Sequence, residues 1–498
     1  MNGVMVLGTA SDVGKSLIAT AICRALANEG YMVAPFKSQN MSNNSYVTDD
    51  GKEIGRAQGI QAEAARTSAS VWMNPILLKP MSDASSEVVL FGTAIERLSG
   101  KDYRDSFYKK GLEAIESSLD YLQSHFDLVV MEGAGSPVEI NLKDRELVNM
   151  KVAELADIPA ILVADIDRGG VFASIVGTLE LMNEQERSHV KGIIINKFRG
   201  DITLFEDGIT WLEERCGIPV LGVLPYIDSH MIDGEDSLSI PQSMNNGEVD
   251  IAVLKPPYIS NYTDLEPFYF EEDVSIRWVS RLADIGNPDA VILPGTKSTI
   301  RDLQYFRDEG FDEWLERYQT RGFIAGICGG YQMLGENLID PDGADTGIAG
   351  TVEKGFGIIP ADTTFLSKKR TVKNEGRLQH ATGITLNQPI SGYEIHLGET
   401  KLHSTTHSFL QLNNGEDEGY FTVDGKVFGT YIHHIFHHDE WRNWWLNQIR
   451  HQKGLPARVA VYLSEIKDAK YDELADHLKK NIKWEVLKGI MMNNQVPR

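Results

Sequence analysis

The chain has 498 residues, of which 42% are hydrophobic and 24% are charged. This composition is typical of globular proteins, and the length exceeds what one core usually holds, so we expect two large domains. Lys and Arg number 48 against 71 Asp and Glu, and the net charge of −23 argues against nucleic acid and anionic membranes as partners. Cys23, Cys216 and Cys328 are too few for a disulfide framework, which indicates a reducing cytoplasm. We expect no signal peptide, because the first apolar run covers only residues 4–7, and no membrane span, because no window approaches the roughly 20 apolar residues that a span needs.

Short β-rich runs alternate with amphipathic stretches from the start of the chain. The predicted strands are 4–7, 31–36, 127–131, 160–164, 192–196 and 220–224. The predicted helices are 15–29, 53–66, 146–156, 171–183 and 203–215. This alternation predicts a parallel sheet with helices on both faces, in which ligands bind where the carboxyl ends of the strands meet.

The alternation stops and then resumes in the second half of the chain. New strands are predicted at 251–254, 290–293, 323–327 and 427–432, with a helix near 298–318. The sequence therefore predicts an α/β protein with two doubly wound domains. We place an N-terminal domain at 1–230, a polar linker at 231–249, a C-terminal domain at 250–440 and a helical extension at 441–498.

A phosphate-binding loop follows the first predicted strand, where residues 8–16 read GTASDVGKS. Such a loop holds phosphates with backbone N–H groups, while its lysine reaches the outer phosphates and its hydroxyl ligates magnesium. The residues predicted to bind ATP are Thr9, Ala10, Ser11, Asp12, Val13, Gly14, Lys15 and Ser16. Because Thr9 stands where the strict pattern has glycine, the loop is similar to the longer one of the dethiobiotin synthetase group, which activates carboxylates.

Glu132 directly follows the predicted strand 127–131 and precedes the small residues Gly133, Ala134 and Gly135. An acidic side chain at that end of a strand can approach the magnesium ion of a bound nucleotide, so Ser16 and Glu132 are the predicted metal ligands. The alternative interpretations are a glycine-rich turn with an exposed lysine and an ordinary loop carboxylate.

Cys328 lies between glycines in GICGG, after an apolar strand and before a helix. A sharp turn of this kind presents a nucleophile, and the helix N-terminus favours the thiolate. His433 directly follows the strand 427–432 and is the predicted base, with His434 as its neighbouring rival. His396 is a further candidate for lining the pocket or supporting the fold.

The backbone N–H groups of Gly295 and Gly329 are the predicted oxyanion hole, with Thr296 as an alternative to Gly295 and a simple turn as the other interpretation. The histidine pairs 433/437 and 434/438 have a spacing that also occurs in zinc sites, which leaves a metal site as an alternative.

Several segments in chain order resemble the cobyric acid synthase family, in which a dethiobiotin-synthetase-like domain is fused to a class I glutamine amidotransferase-like domain. They include PFKSQNMSNNS at 35–45, EGAGSPVEINLKD at 132–144, ADIDRGGVFA at 164–173, GICGGYQMLG at 326–335 and GTYIHH at 429–434. The resemblance extends from residue 4 to about residue 436.

The resemblance implies an enzyme that amidates the b, d, e and g carboxylates of adenosylcobyrinic acid a,c-diamide, using glutamine, ATP and magnesium. Ammonia would pass internally to the acyl phosphate. Cys328 carries over as the nucleophile and His433 as the catalytic histidine. Many class I enzymes have a glutamate two residues after this histidine, but Ile435 stands there, so His433 needs another partner.

The resemblance also suggests residues on the substrate side. These are Lys37, Gln39, Asn40, Asn141 and Asp144. In the dethiobiotin group a second acidic metal ligand lies where this chain has Gln58, so we expect Asp165 or Asp167 to complete the magnesium shell.

Two other functions stay open at this point. One is a cobyrinic acid a,c-diamide synthase or another carboxylate amidase with the same two-domain plan. The other is a non-catalytic ATP switch of the partitioning type, which carries a signature lysine at the place of Ala10 and needs no nucleophile turn. The sequence does not give the oligomeric state, and a homo-oligomer is compatible with it.

Overall fold

The computed structural model describes residues 1–492 except 43, 83–84, 101–102, 142, 228–242, 245–246, 380–383, 385 and 405–406. Contacts divide the chain into two compact units. The first unit joins Met1–Ser239 to the C-terminal segment that begins at Glu465, and the second unit is Ile240–Ser464. The predicted linker at 231–249 lies mostly outside the described residues. The predicted extension at 441–498 is divided by these contacts, because only its later helices pack on the first unit.

A parallel sheet runs through the centre of the first unit. In the described residues its strands are, in order across the sheet, Val220–Pro225, Val190–Phe198, Ala160–Asp165, Gly3–Gly8, Leu128–Glu132 and Val33–Phe36. The flanking helices are Lys15–Asn28, Arg56–Ala64, Tyr108–His125, Met150–Ala156, Val171–Leu181, Glu184–His189 and Glu206–Cys216. The predicted parallel sheet is therefore confirmed.

Alternate residues of the first strand enter two different hydrophobic cores. Val6 packs in the core that contains Ile22 of helix Lys15–Asn28, whereas Leu7 packs in the core that contains Ile115 of helix Tyr108–His125. Side chains of a strand point alternately to the two faces of the sheet, so both faces are covered and the strand is apolar throughout.

A small, mainly antiparallel sheet and a separate strand pair of the first unit have no counterpart in the sequence prediction. Four strands form one small sheet in the described residues: Gln39–Met41, Ile76–Ser82, Ser85–Leu90 and Thr93–Ser99. Ser45–Val47 and Glu53–Gly55 form a separate pair, so the predicted helix at 53–66 begins only at Arg56.

The last helices of the chain, Leu463–Asn481 and Trp484–Met491, pack on the first unit from Glu465 onward. Their apolar side chains, among them Leu478 and Leu487, share a core with the helix that follows the phosphate loop. Within that helix the buried Arg24 pairs with Asp468 at 2.7 Å and with Asp472 at 2.8 Å.

The second unit is built on another sheet, parallel in its centre and antiparallel at its edges. Its described strands are, in order, Ser243–Met244, Val274–Val279, Val249–Leu254, Ala290–Leu293, Phe323–Ile327, Val427–Thr430 and Tyr420–Phe421. Its helices are Thr299–Asp308, Phe311–Tyr318, Gly329–Leu334 and Asp439–Gln452. The helix predicted near 298–318 is two helices, because Gly310 between them has φ of 84°.

An additional, mainly antiparallel sheet of the second unit was not predicted. Its described strands are Asn337–Asp340, Thr351–Lys354, Ala361–Leu378, Ile390–Leu402, Leu410–Leu412 and Asp417–Glu418. Among the helices formed by the described residues, none is both long and apolar enough to cross a bilayer.

Candidate active sites

The phosphate loop connects strand Gly3–Gly8 to helix Lys15–Asn28, as predicted. The Lys15 ammonium donates hydrogen bonds to the carbonyl of Ala10 at 3.0 Å, within the loop, and to that of Gly135 at 3.2 Å. Gly14 has φ of 98°, and a Cβ there would lie 2.2 Å from the Asn196 side chain, so only glycine fits. Residues 9–16 thus lie together at the carboxyl end of the sheet.

Glu132 is fully buried at the end of the neighbouring strand and accepts hydrogen bonds at both carboxylate oxygens. Its Oε1 accepts from Ser16 Oγ at 2.8 Å and from Lys37 Nζ at 3.1 Å. Its Oε2 accepts from Gln61 Nε2 at 2.5 Å. The structure therefore brings together the two predicted metal ligands, Ser16 and Glu132, and the predicted substrate residue Lys37.

Charges at this cluster favour an ionised carboxylate. Burial alone raises the pKa of Glu132, but Lys37, Ser16, Gln61 and Lys15 outweigh burial and hold it below its usual range. Burial lowers the pKa of Lys15 to about 8, with Glu132 opposing and Lys37 reinforcing that effect. An ionised carboxylate beside a hydroxyl is the oxygen donor set that magnesium prefers, so Ser16 and Glu132 fit that ion.

A line of buried side-chain amides leads away from Glu132. Gln61 Oε1 lies 3.5 Å from Gln58 Nε2. Gln58 Oε1 in turn accepts a hydrogen bond from Asn40 Nδ2 at 3.0 Å. Gln58 thus supports the glutamine that holds Glu132. Asp165 pairs with Lys197 at 2.8 Å and Asp167 pairs with Arg199 at 3.0 Å, and their role as additional magnesium ligands stays a prediction.

The remaining predicted substrate residues lie nearby in sequence but differ in their surroundings. Gln39 accepts a hydrogen bond from the hydroxyl of Tyr103. Asn141 and Asp144 are exposed, and Asp144 lies in the short turn Lys143–Arg145. Their contact with a corrinoid stays a prediction.

In the second unit, Cys328 occupies the turn between strand Phe323–Ile327 and helix Gly329–Leu334. Its φ of 52° is strained for a residue with a side chain, and it is only 5% exposed. A Cβ on Gly330 would lie 1.9 Å from the carbonyl oxygen of Leu293, which explains why the turn needs a small residue there. The Cys328 thiol lies 3.6 Å from the carbonyl oxygen of Ile395.

His433 is fully buried and is held by a carboxylate that the sequence reasoning did not identify. Its Nδ1 lies 2.7 Å from Asp264 Oδ2, and the other oxygen of Asp264 accepts from the backbone N–H of His434 at 2.7 Å. Its Nε2 lies 3.3 Å from Asn261 Nδ2. Ile435, at the place of the usual glutamate, is buried in the core instead.

The charges around His433 stabilise its imidazolium form. Burial alone lowers the pKa of His433, but the charges and hydrogen bonds of Asp264 and Cys328 outweigh burial and raise it to about 10. Cys328, His433 and Asp264 therefore form an electrostatically linked set. Since a carboxylate on one ring nitrogen fixes the tautomer, the other nitrogen is available for proton transfer.

The predicted oxyanion residues border the same set. A Cβ on Gly295 would lie 3.2 Å from His433 Cε1, and one on Gly329 would lie 2.6 Å from Thr296 Cγ2. His396 stacks on Tyr431 with ring centroids 3.8 Å apart and lies 2.9 Å from Glu394.

No histidine of the 433–438 segment belongs to a cluster of three potential metal ligands in the part of the chain that the structure describes. The one such cluster found there is Glu336, Asp362 and His403, which is mostly exposed.

Comparisons with known proteins identify a family for each of the two domains. Residues 4–237 match the CobQ/CobB/MinD/ParA nucleotide binding domain, and residues 250–441 match the CobB/CobQ-like glutamine amidotransferase domain. The chain is 48% identical over 486 residues to the cobyric acid synthase of Geobacillus sp. (strain WCH70), covering 96% of this chain and 95% of the relative. The chain belongs to the cobyric acid synthase family.

Two further relatives extend this finding. The cobyric acid synthase of Geobacillus thermodenitrificans (strain NG80-2) is 45% identical and covers 99% of this chain and 98% of its own length. That of Anoxybacillus flavithermus (strain DSM 21510 / WK1) is also 45% identical, covering 99% and 97%. The predicted family, two-domain α/β fold and glutamine-dependent amidating activity in cobalamin biosynthesis are confirmed, and the first domain is one that uses ATP.

Sequence reasoning missed Asp264 and Gln61. Asp264 follows the strand Val249–Leu254 in the polar segment 260–264, and an acid after a strand end is a signal that could have marked it. Gln61 lies in a helix of ordinary composition, and we see no sequence pattern that distinguishes it.

Proposed function

We propose that the chain amidates the b, d, e and g carboxylates of adenosylcobyrinic acid a,c-diamide, using ammonia from glutamine and activation by ATP. The observation that carries the proposal is Cys328, strained at a strand-to-helix turn and electrostatically linked to His433, which Asp264 holds at 2.7 Å. Such a set suits hydrolysis of an amide through a thioester.

In the second unit, Cys328 Sγ attacks the side-chain amide carbon of glutamine. His433 gives a proton to the departing ammonia and then takes one from the water that hydrolyses the thioester, releasing glutamate. Asp264 orients His433 through Nδ1 throughout. The backbone N–H groups of Gly295 and Gly329 stabilise the negative oxygen of each tetrahedral intermediate.

In the first unit, Lys15 and the backbone N–H groups of residues 9–14 hold the phosphates of ATP. Ser16 and Glu132 would hold magnesium, which neutralises phosphate charge when it is bound. The corrinoid carboxylate takes the γ-phosphoryl group to give an acyl phosphate and ADP. Ammonia then attacks the acyl carbon and phosphate leaves, which forms the amide. Lys37, Gln39, Asn40, Asn141 and Asp144 are proposed on the substrate side.

Two variants test the proposal with glutamine or ammonium chloride as the nitrogen source. Cys328→Ala should abolish amidation with glutamine and keep amidation with ammonium, because only the thioester step is lost. Lys15→Ala should abolish both. A Cys328→Ala enzyme that still hydrolyses glutamine at the wild-type rate would overturn the assignment.

The number of amides formed distinguishes this reaction from its nearest alternative. Mass spectrometry of the corrinoid product should show four additions to the a,c-diamide. Two additions to cobyrinic acid itself would indicate an a,c-diamide synthase instead.

A further inference from the structure

Two loops of the second unit border Cys328 and His433. The 258 loop, residues 255–261, follows strand Val249–Leu254, and the 296 loop, residues 294–298, follows strand Ala290–Leu293. The loops are joined to each other by two backbone hydrogen bonds: Ser260 N–H donates to Gly295 O at 2.9 Å, and Lys297 N–H donates to Tyr258 O at 3.0 Å.

Each loop touches the catalytic histidine or the turn that carries the cysteine. From the 258 loop, Asn261 Nδ2 lies 3.3 Å from His433 Nε2. From the 296 loop, Gly295 faces His433 and Thr296 abuts Gly329, the residue after Cys328. A shift of either loop therefore moves groups that contact the reacting atoms.

One carboxylate holds both loops. Asp302 lies in the first turn of helix Thr299–Asp308 and is fully buried. Its Oδ2 accepts hydrogen bonds from the Thr296 hydroxyl and from the backbone N–H of Tyr258, the latter at 3.3 Å. Asp302 thereby bridges the 296 loop and the 258 loop through one carboxylate oxygen.

Keeping a carboxylate at this position is unfavourable for folding. Its Oδ1 has no hydrogen-bond partner among the described residues. Burial raises the pKa of Asp302 to about 7, with Asp345 also raising it and the hydrogen bonds and Arg301 lowering it. A neutral side chain of the same shape would avoid the desolvation cost, so a carboxylate here indicates a functional requirement.

The groups that face Asp302 come from each surrounding element. Arg301 lies on the same helix, and Asp345 accepts from the N–H groups of Thr299 and Ile300 at 2.9 Å. The two loops contribute the Thr296 hydroxyl and the Tyr258 N–H.

We propose that Asp302 is a positioning residue for glutamine hydrolysis, whose ionised carboxylate fixes the 258 and 296 loops against Cys328 and His433. The proposal rests on the glutaminase reaction proposed above. The ionised form accepts from both loops, and charge-assisted hydrogen bonds are the stronger kind. Protonation removes the negative charge, so the hydrogen bonds from both loops become weaker. The kcat of glutamine hydrolysis should therefore rise as pH increases through about 7.

Asp302→Asn tests this in the full-length protein, with Asp345→Asn as a matched control that faces the same helix. We expect Asp302→Asn to lower the glutaminase kcat about tenfold at pH 8 with little change in KM, because misplacement of catalytic groups acts on the transition state. The rise of kcat around pH 7 should disappear. The Tm should stay equal or increase, and amidation with ammonium should be unchanged. Asp345→Asn should keep a rise of kcat with pH, with its midpoint moved to lower pH, because Asp345 raises the pKa of Asp302.

Two more variants exclude other causes. Thr296→Val, which removes the hydroxyl that donates to Asp302, should lower kcat at least as much as Asp302→Asn does, and the losses in the double variant should be less than additive, since both substitutions weaken the same contact. Burial raises the pKa of Glu418, in the same unit, to about 8, and Glu418→Gln should leave the rise around pH 7 in place.

Wild-type kcat and pH dependence in Asp302→Asn would overturn the inference, as would a parallel loss of kcat and Tm, which would mean a merely structural role. Failure of the proposed function is distinguishable, because it would appear as normal glutamine hydrolysis by Cys328→Ala.

Discussion

The contact between Asp264 and His433 leads to the most quantitative prediction. Asp264→Asn keeps the shape of the side chain, and its remaining oxygen can still accept from His434 N–H. Its amide nitrogen would then face His433 Nδ1 as a donor, across a contact that is 2.7 Å in the wild type. The substitution therefore removes a charge and favours the wrong imidazole tautomer.

The magnitude follows from the pKa of His433, which rises from 6.5 to about 10. At 1.36 kcal/mol for each tenfold step, this rise corresponds to about 5 kcal/mol of stabilisation of the imidazolium. If Asp264 supplies about half of it, loss of its charge costs roughly 2–3 kcal/mol, or about 100-fold in rate. The wrong tautomer adds to this loss, and we expect kcat for glutamine hydrolysis to fall about 10³- to 10⁴-fold.

The assay measures the rate of glutamate release at saturating glutamine. Amidation with ammonium is measured in parallel, and its rate should be unchanged. Glu266→Gln, on the same turn and 3.8 Å from His437, is the matched control and should retain most activity.

The raised pKa of His433 means that stabilisation of its imidazolium is complete below pH 6.5 and is lost as pH rises through about 10. The Tm difference between wild type and Asp264→Asn should shrink over that interval. A kcat within threefold of wild type would refute the reasoning.

Two other predictions concern the neighbouring features. Gln61→Leu removes the donor to Glu132 Oε2. Because loss of a residue that orients a metal ligand weakens metal binding, the affinity for magnesium ATP should fall about tenfold in calorimetric titration. Unchanged affinity in a folded variant would contradict this. Gly330→Ala places a methyl 1.9 Å from the Leu293 carbonyl and should lower the free energy of unfolding of the second unit by about 1–3 kcal/mol or more, measured with urea. Wild-type stability would show that the turn has room to relax.

Much of each candidate site could be predicted because its residues are close together in sequence. The loop that contains Lys15 and the turn that contains Cys328 each lie between a strand and a helix, and short motifs specify them. His433 was found because it follows a strand end. The rule that ligands bind at the carboxyl ends of parallel strands then assigned these residues to two sites.

The partner of His433 could not be predicted in this way. Asp264 is 169 residues earlier in the chain, and only the order of the strands brings it to Nδ1. The antiparallel sheets were also missed, because pairing between strands such as Ala361–Leu378 and Ile390–Leu402 depends on register and not on local composition. Gln61 shows the same limit, since its function depends on a carboxylate 71 residues away.

Because the C-terminal helices belong to the first unit, the two units do not correspond to two consecutive segments of the gene. The second unit is an insertion within the first, since residues from Glu465 onward complete a unit that begins at Met1. A single break in the gene between residues 239 and 240 would give an N-terminal product without Arg24's partners Asp468 and Asp472. Separate expression of the ATP-using part would need an internal deletion that rejoins its two segments, whereas the glutamine-hydrolysing part could be excised as one continuous piece.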